Sequence, residues 1–274
     1  MQNKPYYSQN DRTALNADAT GGLGEIHIFH PSRTFALTPA SRIAIQAIGN
    51  CQHLLAGSGL DWGSGTGCLA ITAAKIGKVR RVVGLEISAL NVEMARQNAI
   101  LNGVQDKVEF FVSDSYMPFA EAERNSLETL VGQTNFILAN PPSSEGDDGF
   151  EYRRQVLTGA RQYLGTGGVV FLSISYQYGR QRVEGLSQRI PWFSYGGVLA
   201  STDWVPFDLQ RPDLLHCLEL YAEEERRGGL HYAFLHPEIP DVYLDAQAVL
   251  AYFRRIGLSP LTKWQTHLFR YVGE

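Results

Sequence analysis

The feature that most constrains this chain is a run of three glycines in five residues, Gly63-Ser64-Gly65-Thr66-Gly67. The strand-like stretch Leu60-Asp61-Trp62 precedes the run, and an Ala- and Ile-rich stretch to about Ile76 follows it, which predicts a strand, a tight loop and a helix. Glycine adopts backbone dihedrals that other residues avoid, and it lets a ligand approach the backbone closely. The first turn of the following helix presents free N–H groups toward that ligand. The loop therefore predicts a ligand site at the end of a strand.

Two acids end the next two predicted strands. Glu86 ends the strand Arg81–Glu86, and Asp114 follows the strand Val108–Val112. In open α/β sheets, ligands bind at the carboxyl edge of the strands, where all three features would meet. A carboxylate after the second strand can accept both ribose hydroxyls, and one after the third can accept a bond from an adenine amino group. Together they predict a ligand that contains a nucleoside.

Two cofactors fit the glycine loop. Gly65 to Ala70 matches the G-x-G-x-x-A form of the nicotinamide dinucleotide fingerprint, which makes NAD an alternative. Asp61 stands before the first glycine, where an acid suits a positively charged amino-acid tail and repels a pyrophosphate. This charge favours S-adenosylmethionine over NAD.

The order of predicted elements indicates an α/β fold. Thr38 is the expected N-cap of a helix with Pro39 at its first position and Gly49 at its end. Strands and helices then alternate, which implies a mostly parallel sheet with helices on both faces. Residues 1–24 are expected to be a flexible lead-in, and residues 25–274 a single domain with a substrate-facing insertion at about 179–240. The other predicted elements are a helix from Ser88 to Gly103, strands at Asn135–Ala139 and Gly168–Ser175, a helix at Ala246–Ile256 and a last strand at Thr266–Val272.

An Asn-Pro-Pro segment ends the fourth predicted strand. Asn140, Pro141 and Pro142 follow the apolar run Phe136–Ala139. Two prolines cannot continue a central strand, and they fix a stiff, extended turn whose carbonyls have no ladder partner. Asn140 adds an amide oxygen. These acceptors could receive hydrogen bonds from an NH2 group, so all three residues are candidates for the catalytic site.

With these motifs the sequence resembles the class I S-adenosylmethionine-dependent methyltransferases. Within that class it is similar to the amino-methyltransferases marked by Asn-Pro-Pro-Tyr or Asn-Pro-Pro-Phe, which include release-factor glutamine and RNA-base methyltransferases. The resemblance covers about residues 38–175, over half of the chain. It implies a Rossmann-like fold with a mostly parallel seven-stranded sheet, S-adenosylmethionine as the cofactor, and methyl transfer to a nitrogen.

The resemblance also implies roles for individual residues. The methionine end of the cofactor would lie against the glycine loop and an upstream Thr-Pro element, while Glu86 would hold the ribose and Asp114 the adenine. Asn140, together with the Pro141 carbonyl, would hold the acceptor amine beside the cofactor. The implied cofactor-binding residues are Thr38, Pro39, Asp61, Gly63, Gly65, Gly67, Glu86, Asp114 and Asn140.

The residue after Asn-Pro-Pro departs from the family pattern. Ser143 stands where the family has an aromatic residue that stacks on a planar acceptor. A hydroxyl cannot replace that stacking, so a ring from Tyr116, Phe150 or Tyr152 is expected to line the substrate site with Ser143. Further substrate-site candidates in the expected insertion are Asp203, Trp204, Asp208 and Arg211.

Composition limits the partners and the compartment. The net charge of −4 is not that of a polycation that coats nucleic acid, and no nucleic-acid module flanks the core. The expected acceptor is therefore a protein, an RNA or a small metabolite rather than a specific DNA sequence. Three widely spaced cysteines indicate neither a disulfide framework nor a metal site. Because neither a signal peptide nor a membrane span is apparent, a cytoplasmic protein without a membrane partner is expected. Two alternatives remain open, an NAD-dependent oxidoreductase and a catalytically silent scaffold of the same fold.

Overall fold

The computed structural model describes residues 11–145 and 148–273. The helices within these residues are α1 (Pro39–Asn50), α2 (Cys68–Ala74), α3 (Ala89–Leu101), α4 (Glu121–Glu128), α5 (Glu151–Tyr163), α6 (Gly179–Arg189), α7 (Pro212–Arg226) and α8 (Ala246–Ile256). The strands are β1 (Arg12–Leu15), β2 (Ile26–Phe29), β3 (Gly57–Trp62), β4 (Val79–Glu86), β5 (Val108–Asp114), β6 (Met117–Pro118), β7 (Thr134–Ala139), β8 (Leu164–Ser173), β9 (Phe193–Ser201), β10 (Val205–Pro206), β11 (Phe234–Leu235), β12 (Tyr243–Leu244), β13 (Leu261–Thr262) and β14 (Gln265–Tyr271). Two short 3-10 turns lie at Gln52–Leu54 and Tyr176–Tyr178.

The main sheet has the order β6-β5-β4-β3-β7-β8-β14-β9. Five neighbouring strands pair in parallel, in the order β5, β4, β3, β7 and β8. Strand β14 is antiparallel to both of its neighbours, β8 and β9. The predicted α/β class and its mostly parallel sheet are confirmed. The sheet has eight strands, one more than the expected seven. The additional strand, β6, has only two residues and pairs with the end of β5, because the chain reverses at Ser115, which has a φ of 53°.

Helices cover both faces of the sheet, and β7 shows why its sequence is apolar throughout. Phe136 and Leu138 pack into a core with α1, α2 and α3, while Ile137 and Ala139 face a second core that includes α5. Successive side chains of a strand point to opposite faces, so a strand covered on both sides needs an unbroken apolar run. Because β3, β4, β5 and β7 run in the same direction, their carboxyl ends lie together along one edge of the sheet.

Additional elements lie between β9 and β14, in residues 202–264. They form a four-stranded sheet of order β10-β13-β11-β12 together with α7 and α8. The insertion was expected at about 179–240, but residues 179–201 form α6 and β9, and β9 pairs with β14 at the edge of the main sheet. Most residues of β9 are exposed or half-buried, so the strand lacks the apolar pattern of the central strands.

The N-terminal segment also differs from its expectation. Of the expected lead-in at 1–24, residues 1–10 lie outside the described residues, and Arg12–Leu15 forms β1, which pairs antiparallel with β2. Thr13 and Leu15 are buried, so this strand alternates buried and exposed positions. In the parts of the chain that the structure describes, no helix combines the length and the apolar character needed to cross a bilayer.

Candidate active site

The glycine loop between β3 and α2 uses its glycines for two different reasons. Gly63, Gly65 and Gly67 have φ values of 67°, 54° and 87°, in the region that favours glycine. A Cβ at Gly67 would lie 2.8 Å from the ring of Phe110, so packing excludes a side chain there. A Cβ at Gly63 would meet nothing within 4 Å, and Gly63 lines a cavity. The loop therefore packs against the core at Gly67 and offers open backbone at Gly63.

Glu86, at the end of β4, is tied to this loop. Its Oε2 accepts a hydrogen bond from the Gly65 N–H at 2.9 Å. Its Oε1 accepts bonds from the Ser88 N–H at 2.9 Å and from Asn91 Nδ2 at 3.2 Å. A carboxylate offers about four lone-pair positions, so Glu86 is held in place and can still accept a bond from a ligand hydroxyl.

Asp114, at the end of β5, lies in a turn that neighbouring side chains hold. Ser113 Oγ donates to the Ser115 carbonyl at 2.8 Å, and Ser115 Oγ accepts from Trp62 Nε1 at 2.9 Å. Asp114 itself is exposed and lines the same cavity as Glu86. These contacts fix the backbone on both sides of its carboxylate.

Asp61 lies behind the loop rather than on the cavity wall. Its Oδ2 accepts from the Ala70 N–H in α2 at 2.9 Å, and its Oδ1 is buried without a hydrogen-bond partner among the described residues. The pKa of this carboxyl is raised to about 7, and burial is the largest cause. A buried acid beside a ligand loop is a common feature of functional sites.

Asn140 links the end of β7 to the start of α1. Its Nδ2 donates to Ser41 Oγ at 3.2 Å, and Ser41 forms the capping box of α1 with Thr38. The Asn140 amide oxygen has no hydrogen-bond partner in the described chain, so it remains available as an acceptor. Thr38 and Pro39 line the cavity beside it.

Arg153 in α5 is a site residue that the sequence analysis missed. Only 4% of it is exposed, and its Nη1 donates to the Pro142 carbonyl at 3.1 Å, while Nη2 lies 3.4 Å from the Pro141 carbonyl. Its Nε donates to the Ser173 carbonyl at 3.2 Å. In the sequence, Arg153-Arg154 is typical of a solvated helix face, and its helical position alone gave no sign of these contacts.

The three rings expected to compensate for Ser143 have different positions. Tyr152 lines the cavity, with its ring centroid 6.2 Å from that of Trp62. Tyr116 stacks on Tyr163 and donates its hydroxyl to the Val156 carbonyl, while Phe150 is buried in the core. Neither is among the cavity-lining residues. Further cavity-lining rings, which the sequence did not reveal, are Tyr178, Phe207, Tyr221 and Trp264.

One cavity of about 530 Å³ joins these features. Of the candidate residues, it is lined by Thr38, Pro39, Gly63, Gly65, Glu86, Asp114, Asn140, Pro141, Pro142, Ser143 and Tyr152. Asp61, Gly67, Tyr116 and Phe150 are not among its lining residues. Among the four weaker candidates beyond β9, Arg211 lines it, whereas Asp203, Trp204 and Asp208 do not. The additional elements after β9 thus contribute part of the cavity lining.

The fold is that of a Rossmann-like α/β protein with a cavity at the carboxyl edge of its sheet. Residues 36–190 match the family described as the methyltransferase small domain. That match covers more than half of the chain, which therefore belongs to this methyltransferase family. The family resemblance predicted from the sequence is confirmed, and S-adenosylmethionine is the cofactor that accompanies it.

Individual relatives share only part of the chain. It is 24% identical over 151 residues to the release factor glutamine methyltransferase of Thermodesulfovibrio yellowstonii, covering 50% of this chain and 54% of the relative. It is 42% identical over 145 residues to the ribosomal protein L11 methyltransferase of Shewanella halifaxensis, covering 53% of this chain and 42% of the relative. The chain thus spans about half the length of these relatives. A methyltransferase structure from Pyrococcus furiosus is similar over 90% of this chain and 89% of that one, with 15% identity and a TM-score of 0.49.

The residues fit S-adenosylmethionine. Gly63 leaves open space where a side chain would block a close-lying ligand, and Glu86 and Asp114 line the same cavity. The partnerless Oδ1 of Asp61 is a buried acceptor directly behind the loop, which suits a nearby positive charge.

Proposed function

We propose that this protein transfers a methyl group from S-adenosylmethionine to a nitrogen of a protein, RNA or small-molecule acceptor. The observation that carries this proposal is that the expected cofactor residues and the Asn-Pro-Pro-Ser segment line one cavity. The cofactor residues in that lining are Gly63, Gly65, Glu86 and Asp114, and the segment is Asn140-Pro141-Pro142-Ser143. Relatives named for release factors and for ribosomal protein L11 support a protein acceptor among these classes.

The cofactor residues have separate tasks in this proposal. The loop at Gly63 and Gly65, with Thr38 and Pro39, would hold the methionine end. Glu86, fixed by the Gly65 N–H, would accept bonds from the ribose hydroxyls, and Asp114 would accept one from the adenine amino group. Asp61 would supply negative charge behind the methionine end when it is ionised, and the positive charge of the bound cofactor would favour that ionisation.

The bound cofactor supplies an electrophilic methyl group on a positively charged sulfur, and the sulfur keeps the bonding electron pair when the methyl leaves. Asn140 Oδ1 and the Pro141 carbonyl would accept bonds from the acceptor N–H groups and direct the nitrogen lone pair at the methyl carbon. These oxygens stabilise the nitrogen more as it becomes positive, which favours the transition state over the bound substrate. The nitrogen then loses its proton to solvent.

Two measurements test the proposal. In calorimetry, S-adenosylhomocysteine should bind and NAD should not; the reverse result would identify an oxidoreductase. With radiolabelled S-adenosylmethionine and fractionated lysate, the wild type should label one fraction. Asn140→Ala should bind S-adenosylhomocysteine as the wild type does and transfer little label. Cofactor binding with no label in any fraction would identify a silent scaffold, and equal loss of binding and transfer would refute the role of Asn140.

A further inference from the structure

Arg153 is a buried cation whose bonds go to carbonyl oxygens. Beyond its contacts with Pro141, Pro142 and Ser173, its Nη1 donates to the Gly149 carbonyl at 3.0 Å. A guanidinium has five N–H donors, and these contacts use four of them. The remaining donor is on Nη2, in a residue that lines the cavity.

No carboxylate balances this charge within 4.0 Å in residues 11–145 and 148–273. The acids that line the cavity have other positions: Glu86 is tied to Gly65, Asp114 ends β5, and Asp213 pairs with Arg211. The rings of Tyr178 and Phe150 lie 4.6 and 5.3 Å from the guanidinium carbon and stabilise it in part. A buried charge is costly unless it is paired, so a counter-charge is expected in the cavity.

Two more residues with unused donors line the same cavity as Arg153. Ser173 is 3% exposed, and its Oγ has no hydrogen-bond partner among the described residues. Gln177 is 2% exposed, and its Oε1 accepts from Thr262 Oγ1 at 2.7 Å, which leaves its amide N–H groups as donors. Both residues line the cavity. Arg153, Ser173 and Gln177 together form what we call the donor floor.

The reaction itself gives the donor floor a requirement. Arg153 lies beside the Pro141 carbonyl, which is proposed to stabilise a nitrogen that becomes positive. An uncompensated guanidinium there would oppose that charge, since like charges repel strongly in a low-dielectric site. A bound anion next to Arg153 would remove the repulsion.

We propose that the donor floor binds a carboxylate of the methyl acceptor, so that the substrate carries both an amine or amide nitrogen and a carboxylate. This rests on the proposed function and names the class of its substrate. Three buried residues with unused donors, one of them a cation, line this cavity, and such donors are the recognition elements a carboxylate requires.

The methionine carboxylate of the cofactor has the same chemistry, but its expected place differs. The methionine end belongs to the loop after β3 and to the start of α1. In the donor floor, Ser173 ends β8, Gln177 is in the 3-10 turn that follows, and Arg153 is on α5. In the sheet, β7 separates β8 from β3. The acceptor is therefore the source of the carboxylate.

The test uses benzoate as the carboxylate probe and benzamide as its neutral counterpart. Each is titrated by calorimetry into protein saturated with S-adenosylhomocysteine. Benzoate should bind about tenfold more tightly than benzamide, the ratio that one charge-assisted contact gives. Arg153→Gln should abolish this preference and leave S-adenosylhomocysteine binding within about twofold. Arg161→Gln is the matched control, because Arg161 is in the same helix and lies over Trp192 rather than in the cavity.

Ser173→Ala keeps the test decisive if Arg153→Gln does not fold. It removes an unpartnered hydroxyl and should weaken benzoate binding about threefold with unchanged thermal stability. Equal binding of benzoate and benzamide to the wild type would overturn the inference, as would an unchanged benzoate affinity in the variants. If Arg153→Gln weakens S-adenosylhomocysteine but not methylthioadenosine, which lacks the carboxylate, Arg153 pairs with the cofactor and the acceptor assignment is wrong. If the wild type does not bind S-adenosylhomocysteine at all, the proposed function itself fails.

Discussion

Asn140 Nδ2 donates a hydrogen bond to Ser41 Oγ at 3.2 Å, which joins the Asn-Pro-Pro turn to the capping box of α1. Ser41 Oγ also lies 3.3 Å from the Thr38 N–H and 3.0 Å from Thr38 Oγ1. One hydroxyl thus helps to cap a helix and to orient an amide whose other end is the proposed acceptor of the substrate nitrogen. The cap of α1 and the orientation of the Asn140 amide therefore depend on the same hydroxyl.

Ser41→Ala should therefore reduce turnover more than a loss of helix capping explains. The Asn140 amide loses its fixed partner, and a misplaced catalytic group lowers the rate by about tenfold or more. The free energy of unfolding should fall by about 1 kcal/mol, as for other cap losses. Label transfer and denaturant unfolding measure the two effects. Asp245→Ala is the matched control, because it removes the N-cap of α8, which bonds Ala248 N–H, without touching Asn140. If both variants lose turnover equally, Ser41 acts only through stability.

Glu86→Gln should weaken cofactor binding. The carboxylate accepts bonds from two backbone N–H groups and from Asn91, and an amide cannot accept on both ends. Losing a charge-assisted acceptor costs about 1.5–3 kcal/mol, so the Kd for S-adenosylhomocysteine should rise by about 10- to 100-fold in calorimetry. Glu109→Gln removes an acid in the neighbouring strand that pairs with Arg81, and it should leave the Kd unchanged. An unchanged Kd in Glu86→Gln would exclude the ribose role.

The sequence predicted the parts of the site that depend on backbone signals. Glycines, prolines and caps act locally, so the loop at Gly63, the turn at Asn140 and the N-cap Thr38 could each be located from a few neighbouring residues. Arg153 could not be located in this way. Its contacts depend on backbone carbonyls after β7 and at the end of β8, which only the folded chain brings next to α5. Tyr116 and Phe150 illustrate the same limit. Tyr116 is two residues from Asp114 and Phe150 is seven from Ser143 in the sequence, yet neither is among the cavity-lining residues, while Phe207 and Trp264 are.

Asp61 should make stability depend on pH. The folded-state pKa of about 7 is above the ordinary value of 3.8, so the folded protein binds a proton that the unfolded chain releases. The contribution of Asp61 to stability is thus fully present below pH 4 and is lost as the pH rises toward 7, by at most about 1.4 kcal/mol per pH unit. Denaturant unfolding at pH 5 and pH 7.5 should show this loss in the wild type relative to Asp61→Asn. His267, whose pKa burial lowers to about 4, has the opposite trend but is present in both proteins and cancels in the difference. Parallel pH curves for the two proteins would contradict a raised pKa at Asp61.

Gly67→Ala and Gly63→Ala should separate the packing role of the loop from its binding role. Both glycines have positive φ, so each alanine costs about 1 kcal/mol from the backbone alone. At Gly67 the new methyl would also lie 2.8 Å from the Phe110 ring and 3.0 Å from Ala95, and such overpacking adds about 1–3 kcal/mol. At Gly63 the methyl enters open space in the cavity, where it should obstruct the ligand instead. We therefore expect Gly67→Ala to have the larger loss in denaturant unfolding and Gly63→Ala the larger loss in S-adenosylhomocysteine affinity. If Gly63→Ala binds the cofactor like the wild type, the ligand does not approach the backbone at Gly63, and the placement of the methionine end must be revised.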